Sequence, residues 1–452
     1  MQISKSKLLI KAVAFLLIFL LLMRGAAFVT VSAMARPRLT MHEWYEMDEP
    51  LDVAFFGSSR FYRSINSLEL GPMMGKNAFG FTSSDQSLRD TYFLLREMYK
   101  KSSPELVVID VSWNRLYDED DAAASSMIWD YFAPSRNKLD FFFASFEPSH
   151  YADVLFPALR YTDSYDDHLL SRATLNNVIK KLTPAYWNYD PSITNSSLAR
   201  YMGRGFDAAT SSISMDSAGD VNVNENWDPL QLGDEQLEYL QRSVELCQQY
   251  GTKVVLLGAP IPLMKLASVE DYDDYDRYMQ TLAQQLGVDF YDFAMLRPSV
   301  LTLDNSCFYD YKHANEHGAA LLQPVLAQFL SEYLQGDLDE SKYLCESRLE
   351  MLQGHDEVLS VWLKDNEGDP TRVTAYTSAA PGVQVEFEFL ISTPANKEYT
   401  VMQPYGADAQ FDMSPWQDGN YKVMVHARAK GSDAAYEQYF EVAYRKGART
   451  DD

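Results

Sequence analysis

The sequence has few cysteines and few basic residues, and both shortages narrow the classes of protein that it can encode. Its 452 residues include three cysteines, Cys247, Cys307 and Cys345, and none forms a C-x-x-C pair. This argues against a zinc ribbon and a thioredoxin-type site, and leaves a Cys307–Cys345 disulfide open outside the cytoplasm. Lysine and arginine number 39 against 64 aspartate and glutamate residues, for a formal net charge of −25. This charge argues against a nucleic-acid binder, because no basic patch is available to neutralise phosphates.

Long apolar runs are scarce as well, and the one at the amino terminus indicates the compartment. Three lysines precede the apolar run Ala12–Met23, and after Arg24 the chain stays mostly apolar to Ala35. A signal peptide cleaved after Ala33-Met34-Ala35 and an uncleaved anchor over about Ala12–Met34 both fit this pattern. The apolar core ends twelve residues before Ala35, which is far for cleavage and favours an anchor within residues 1–35. On either interpretation residues after about 36 lie outside the cytoplasm, because the basic side stays inside.

Patterns of strands and helices divide the rest of the chain into three parts. Residues 36–50 show no clear period and are predicted to form a linker. Residues 51–338 alternate short apolar runs with helical patterns, which predicts an α/β domain with a parallel sheet. Within it, residues 118–233 lose this rhythm and are predicted to be a helical and looped insertion over one end of the sheet. Residues 346–452 contain strictly alternating runs, such as Val383–Ile391 and Tyr421–Ala427, which predict an immunoglobulin-like β-sandwich.

The first predicted strand ends in small polar residues. Asp52–Arg60 reads DVAFFGSSR, in which an apolar run leads into Gly57, Ser58 and Ser59. In open α/β sheets, ligands bind outside the carboxyl ends of the strands, so a serine here could act as a nucleophile. Ser58 and Ser59 compete for that role, and the Gly-x-Ser spacing favours Ser59.

A serine nucleophile needs a base, and the candidate lies just before the last helix of the α/β domain. Of seven histidines, five lie in the linker, the insertion or the sandwich, which leaves His313 and His317 in the segment FYDYKHANEHGA. Asp310 precedes His313 by three residues. An imidazole takes the proton of the serine and a carboxylate holds the imidazole in the right tautomer, so Asp-x-x-His supplies both groups.

The same segment supports a rival interpretation as a zinc site. His313–His317 reads H-x-x-E-H, the motif of inverted zinc peptidases, in which Glu316 would be the general base. That chemistry places both histidines on one face of a formed helix. Asn315 and Gly318 disfavour a helix interior, so we favour the serine interpretation.

Three segments together resemble the SGNH (GDSL-like) hydrolase superfamily: FGSSRFYRSIN, FGFTSSDQSLRDTYFLLRE and FYDYKHANEHGA. Over residues 50–335 the chain is similar to the membrane-anchored, extracytoplasmic branch that includes the lipoteichoic-acid D-alanylation and alginate O-acetylation proteins. The resemblance implies a three-layer α/β/α sandwich and a triad of Ser59, His313 and Asp310. It also implies an oxyanion hole formed by Ser59, Gly80 and Asn114. Asn114 stands in an altered block, because residues 110–114 read DVSWN where many members have Gly-x-Asn-Asp.

The resemblance implies a serine acyl esterase or O-acyltransferase that acts on a cell-envelope polysaccharide or teichoic-type polymer, with no metal or cofactor. It also implies a membrane-bound O-acyltransferase as a partner. Hydrolysis and transfer use the same acyl-enzyme, so the sequence does not separate them. The alternative is a catalytically inactive envelope scaffold or binding protein, which the altered block around Asn114 motivates.

Overall fold

The amino-terminal apolar run forms one long helix. The structure is a computed structural model, and it describes residues 5–113, 115–117, 122–161, 171–212, 227–269, 271–366 and 369–446. Helix α1 covers Lys5–Thr30. An 18-residue window within its segment Lys7–Thr30 has a mean hydropathy of 2.5, and the 24 residues of that segment are enough to cross a membrane by length and composition.

The other helices and the strands follow in chain order. The helices are α2 (Arg36–Glu46), α3 (Ser59–Ser64), α4 (Ser67–Met74), α5 (Leu88–Met98), α6 (Ala122–Asp130), α7 (Arg136–Ser145), α8 (Tyr151–Leu155), α9 (Arg172–Lys181), α10 (Pro184–Trp187), α11 (Asp234–Gln249), α12 (Leu263–Ser268), α13 (Tyr272–Leu286), α14 (Glu316–Gln335) and α15 (Arg348–Met351). The strands are β1 (Val53–Gly57), β2 (Ala78–Thr82), β3 (Leu106–Asp110), β4 (Ala199–Gly203), β5 (Phe206–Ala209), β6 (Lys253–Gly258), β7 (Asp289–Asp292), β8 (Val358–Asn366), β9 (Asp369–Ala379), β10 (Val385–Ser392), β11 (Thr400–Gly406), β12 (Gln410–Asp412), β13 (Gly419–Ala429) and β14 (Gln438–Lys446).

Five strands form a parallel sheet in the order β2-β1-β3-β6-β7, as the sequence pattern predicted. Alternate side chains of each strand enter two separate cores, because both faces of the sheet are covered. In β1, Ala54 and Phe56 join the core beneath α5, α11 and α13, whereas Val53 and Phe55 join the core beneath α3, α4 and α14. The result is three layers, helix on sheet on helix, with the carboxyl ends of β1, β3 and β6 at one edge.

The prediction that residues 36–50 form a linker is wrong for most of that segment. Arg36–Glu46 is helix α2, and the ring of its Trp44 packs against Phe79 and Phe81 of β2. The helical period was hidden because polar residues are buried along with the apolar ones. The guanidinium of Arg38 donates to the carbonyl oxygen of Tyr186 at 2.6 Å, for example.

The insertion contains helices and also one hairpin, β4–β5, which the sequence pattern did not indicate. The turn of this hairpin lies against the outer edge strand β2, where the N–H of Gly80 donates to the carbonyl oxygen of Arg204 at 3.0 Å. A Cβ on Gly205 would lie 2.1 Å from the carbonyl oxygen of Gly80, so the close approach requires glycine at position 205. The hairpin thereby covers an otherwise open sheet edge.

The carboxy-terminal strands form two antiparallel sheets around a shared apolar core. One sheet has the order β11-β10-β13-β14 and the other β12-β9-β8. The sandwich packs on α12, where the hydroxyl of Ser378 donates to the carbonyl oxygen of Met264 at 2.6 Å and Trp362 packs against Met264. An immunoglobulin-like topology stays a prediction. All three cysteines are buried free thiols.

Candidate active site

Ser59 lies where β1 meets α3, at the carboxyl edge of the sheet. Strand β1 ends at Gly57, Ser58 is the N-cap of α3, and Ser59 is its first residue. We call Gly57–Ser59 the nucleophile turn. Gly57 is required here, because a Cβ on it would lie 2.4 Å from the Cβ of Asp110 on β3. The turn therefore sits tightly on the neighbouring strand.

His313 and Asp310 lie on the segment before α14, Tyr309–Ala314, which we call the base loop. The Nε2 atom of His313 is 2.7 Å from the Oγ atom of Ser59. Its Nδ1 atom lies 2.7 Å from Oδ2 and 2.9 Å from Oδ1 of Asp310. Ser59, His313 and Asp310 thus form one hydrogen-bonded chain, although Ser59 and His313 are 254 residues apart in the sequence.

Asp310 determines which nitrogen of His313 carries the proton. Burial raises the pKa of the Asp310 carboxyl, but hydrogen bonds from His313 and from the backbone N–H groups of Lys312 and His313 outweigh it, and the net pKa is lowered. An ionised carboxylate only accepts hydrogen bonds, so Nδ1 of His313 donates to it. Nε2 then presents a lone pair to the hydroxyl of Ser59, which is the arrangement that a general base requires.

Ser58 has a different partner from Ser59. The backbone N–H and the hydroxyl of Ser58 both donate to Oδ2 of Asp110, at 3.1 Å and 2.9 Å. The backbone N–H and the hydroxyl of Ser112 donate to the other oxygen, Oδ1. Ser58 is 3% exposed and its hydroxyl is committed to a carboxylate, so the geometry favours Ser59 as the nucleophile.

Of the residues predicted to form the oxyanion hole, Gly80 is contradicted by the structure. Gly80 lies inside strand β2, and its N–H already donates to the carbonyl oxygen of Arg204. That N–H is therefore not available to a substrate oxygen. Asn114 lies outside the described residues. The N–H of Ser59 is at the first position of α3, where a helix supplies no internal acceptor, and its role in the oxyanion hole stays a prediction.

The cleft beside Ser59 is rich in cationic side chains. It has a volume of about 100 Å³. Its charged lining consists of Arg60, Arg115, Lys265, Lys312 and Asp85. The guanidinium of Arg60 donates to the carbonyl oxygen of Trp113, which fixes its position beside Ser59. Four cations against one carboxylate form a positive site in a chain whose net charge is −25.

The residues of the zinc motif do not converge. Helix α14 begins at Glu316 with Asn315 as its N-cap, so His313 lies on the loop and not on the helix. The carboxylate of Glu316 pairs with Arg200 at 2.8 Å, and both ring nitrogens of His313 face Asp310 and Ser59. Among the residues that the structure describes, no group of three or more His, Cys, Asp or Glu side chains could hold a metal ion.

Sequence reasoning missed Asp110 and most of the cationic lining. Asp110 ends β3, directly beside the end of β1 in the sheet, and a carboxylate at the end of a buried strand was a usable signal. Arg115, Lys265 and Lys312 come from three separate segments, so only the folded chain brings them together.

The chain is similar to solved structures at low sequence identity. No protein-family model matches the chain, and no curated protein does. Several solved structures are similar to it. A protein assigned as an acylhydrolase from Bacteroides fragilis is 13% identical over 66% of this chain and 98% of that chain, with a TM-score of 0.32.

Two more solved structures are similar to the chain. A GDSL-like lipase from Bacteroides thetaiotaomicron is 11% identical over 67% of this chain and 99% of that chain, with a TM-score of 0.31. A two-domain esterase active on acetylated mannans is 9% identical over 93% of this chain and 98% of that chain, with a TM-score of 0.27. At such low identities and TM-scores, the case for catalysis rests on the geometry around Ser59.

Proposed function

We propose that the protein is a membrane-anchored, extracytoplasmic serine acyl esterase or O-acyltransferase of SGNH type. The observation that carries the proposal is the hydrogen-bonded chain from Ser59 Oγ through His313 to Asp310. Ser59 attacks an ester carbonyl while Nε2 of His313 takes its proton, and that proton then passes to the departing alcohol. Water or a second alcohol releases the acyl group from Ser59, which gives hydrolysis or transfer.

The cationic cleft supports an anionic polymer as the substrate. Arg60, Arg115 and Lys312 would place positive charge beside an ester attached to a phosphate or carboxylate backbone. Of the envelope polymers that the sequence suggests, teichoic-type chains and acidic polysaccharides carry such groups. A membrane-bound O-acyltransferase is the partner we propose, as the supplier of acyl groups on the same side of the membrane.

A fluorophosphonate probe tests the serine chemistry. The full chain in detergent is treated with the probe, and the modified peptide is identified by mass spectrometry. We expect one adduct, on Ser59, that Ser59→Ala abolishes and Glu316→Gln leaves intact. Absence of any adduct beside a labelled serine hydrolase would overturn the enzymatic proposal.

A second candidate function is a non-catalytic envelope scaffold. It is favoured by the loss of Gly80 as an oxyanion donor, because the N–H of that residue is bound to Arg204. Under this alternative the cleft would bind the anionic polymer without cleaving it. Polymer binding that survives Ser59→Ala, together with no probe adduct, would support it.

A further inference from the structure

The insertion is hydrogen-bonded to the carboxyl end of α1, which we call its outer end. The side-chain amide of Asn177 on α9 donates to the carbonyl oxygens of Val29 and Val31, at 2.9 Å and 2.8 Å, and its oxygen accepts from the N–H of Ala33 at 2.7 Å. The ammonium of Lys181 donates to the carbonyl oxygens of Phe28, at 2.6 Å, and Val31. These bonds satisfy carbonyls that a helix end leaves open, so the insertion and α1 form one packed unit.

One part of the insertion also contacts α1 far from that end. The ring of Phe156 lies edge-on to the ring of Phe19, with centroids 5.5 Å apart. Phe19 lies inside the apolar run, five residues before Arg24 and eleven before Thr30. At 1.5 Å per residue, it is about 16 Å below the outer end of the helix. If α1 spans a membrane, Phe156 therefore lies at the depth of the hydrocarbon.

Large apolar side chains on α7 and at the end of α8 are exposed. Leu155 is 53% exposed and shares with Phe156 a cavity of about 1040 Å³ against α1. Phe143 and Leu139, four residues apart on one face of α7, are 65% and 55% exposed. The ring of Phe143 lies edge-on to Tyr151 of α8, which joins the two helices. Such a group of exposed apolar side chains marks a contact surface.

One largely buried ion pair lies beside this surface. The guanidinium of Arg160 pairs with Asp130 at 2.6 Å, and the two side chains are 11% and 15% exposed. It also donates to the hydroxyl of Ser126 at 2.7 Å and to the carbonyl oxygen of Asp153 at 2.9 Å. An ion pair that is shielded in this way is tolerated near hydrocarbon, where an unpaired charge is costly.

We propose that Leu139, Phe143, Leu155 and Phe156 form a second membrane contact, which enters the outer lipid leaflet beside α1. The proposal rests on the membrane anchoring in the proposed function and goes beyond it. Lipid is the occupant because this surface continues directly from an apolar helix at membrane depth. The contact holds the α/β domain in a fixed orientation on the membrane, instead of on a flexible tether.

Site-directed labelling of the full chain in lipid vesicles tests this contact. The native cysteines are buried, so a cysteine placed by Leu155→Cys can be labelled alone with an environment-sensitive fluorophore. Leu16→Cys in α1 reports the anchor, and Leu349→Cys, at a site 55% exposed on α15, is the matched control. We expect labels at 155 and 16 to show blue-shifted emission and to lose most of their fluorescence to nitroxide-bearing lipids, whereas the label at 349 does neither.

The other outcomes each contradict the proposal. A label at 155 that behaves like the one at 349, while the label at 16 is quenched, overturns the second contact and leaves the anchor. A blue-shifted label at 155 that nitroxide lipids do not quench means that protein, not lipid, covers the surface. An unquenched label at 16 overturns the anchor and the second contact together. Because the catalytic residues are untouched, none of these results bears on Ser59 chemistry.

Discussion

The nucleophile turn and the base loop meet at one hydrogen bond but are held in place in different ways. In the nucleophile turn, Ser58 binds Asp110, a buried residue 52 positions away on β3. In the base loop, Asp310 accepts hydrogen bonds from the N–H groups of Lys312 and His313, two and three residues away. The turn thus depends on the sheet, whereas the base loop is shaped by its own residues. Substitutions in the turn should therefore affect stability more than substitutions in the loop.

Ser59→Ala should have the largest effect on activity. It removes the atom that attacks the ester, so we expect kcat/KM for an activated ester to fall about 10³-fold or more. The free energy of unfolding should change by no more than about 1.5 kcal/mol, the net contribution of one hydrogen bond. Steady-state kinetics and urea unfolding measure the two effects. Unchanged ester cleavage by this variant would contradict the assignment of Ser59.

Asp310→Asn should reduce activity next most strongly. The amide no longer favours a proton on Nδ1 of His313, so we expect kcat to fall about 10²- to 10⁴-fold with the fold intact. Glu316→Gln is the control, because Glu316 pairs with Arg200 away from the ester site. Equal losses in the two variants would instead favour the zinc interpretation, in which Glu316 is the base.

Asp110→Ala should show that the nucleophile turn depends on the sheet. It leaves four donors of Ser58 and Ser112 without an acceptor, so we expect unfolding free energy to fall by about 2–4 kcal/mol. We also expect kcat to fall about tenfold, because Ser59 follows the displaced Ser58. Asp110→Asn keeps the side-chain volume and one acceptor, so its unfolding free energy and its kcat should fall less. Full activity in both variants would show that the turn holds its shape without Asp110.

The same contrast explains what the sequence could predict. The parallel sheet followed from buried runs such as Leu106–Asp110, and the base loop followed from the short Asp-x-x-His spacing, because both are local patterns. Asp110, the cationic cleft and the Gly80–Arg204 contact depend on segments far apart in the chain. One wrong prediction was Gly80 as an oxyanion donor. Its N–H is bound to the hairpin β4–β5, which no local sequence pattern predicted.

Asp292 is a buried carboxylate whose contribution to stability should change with pH in the opposite direction to that of Asp310. Asp292→Asn tests this. Burial raises the pKa of Asp292 to about 6, although Ala294 N–H and the hydroxyl of Tyr272 donate to it. The raised pKa means that stability is full below the ordinary pKa of about 4 and is lost as pH rises through about 6. The wild-type chain should therefore lose about 1–3 kcal/mol between pH 4 and pH 8 from this group.

Urea unfolding at the two pH values measures this effect. Asp292→Asn should flatten the fall in stability toward pH 8. Asp310→Asn should make the fall in stability toward pH 8 steeper. The pKa of Asp310 is lowered, so its contribution to stability is present above its ordinary pKa and is lost as pH falls. Identical pH profiles for the two variants would show that neither carboxyl has the shift that its surroundings impose.

Ser58→Ala should have the smallest effect, and it separates the two adjacent serines. It removes one hydroxyl donor from Asp110, while the backbone N–H of residue 58 still binds that carboxylate at 3.1 Å. We expect about 1 kcal/mol less stability and less than a tenfold loss of kcat. The fluorophosphonate adduct should stay on Ser59. An adduct that disappears in Ser58→Ala while Ser59→Ala is still labelled would reverse the assignment, because the hydroxyl facing Asp110 would then be the nucleophile.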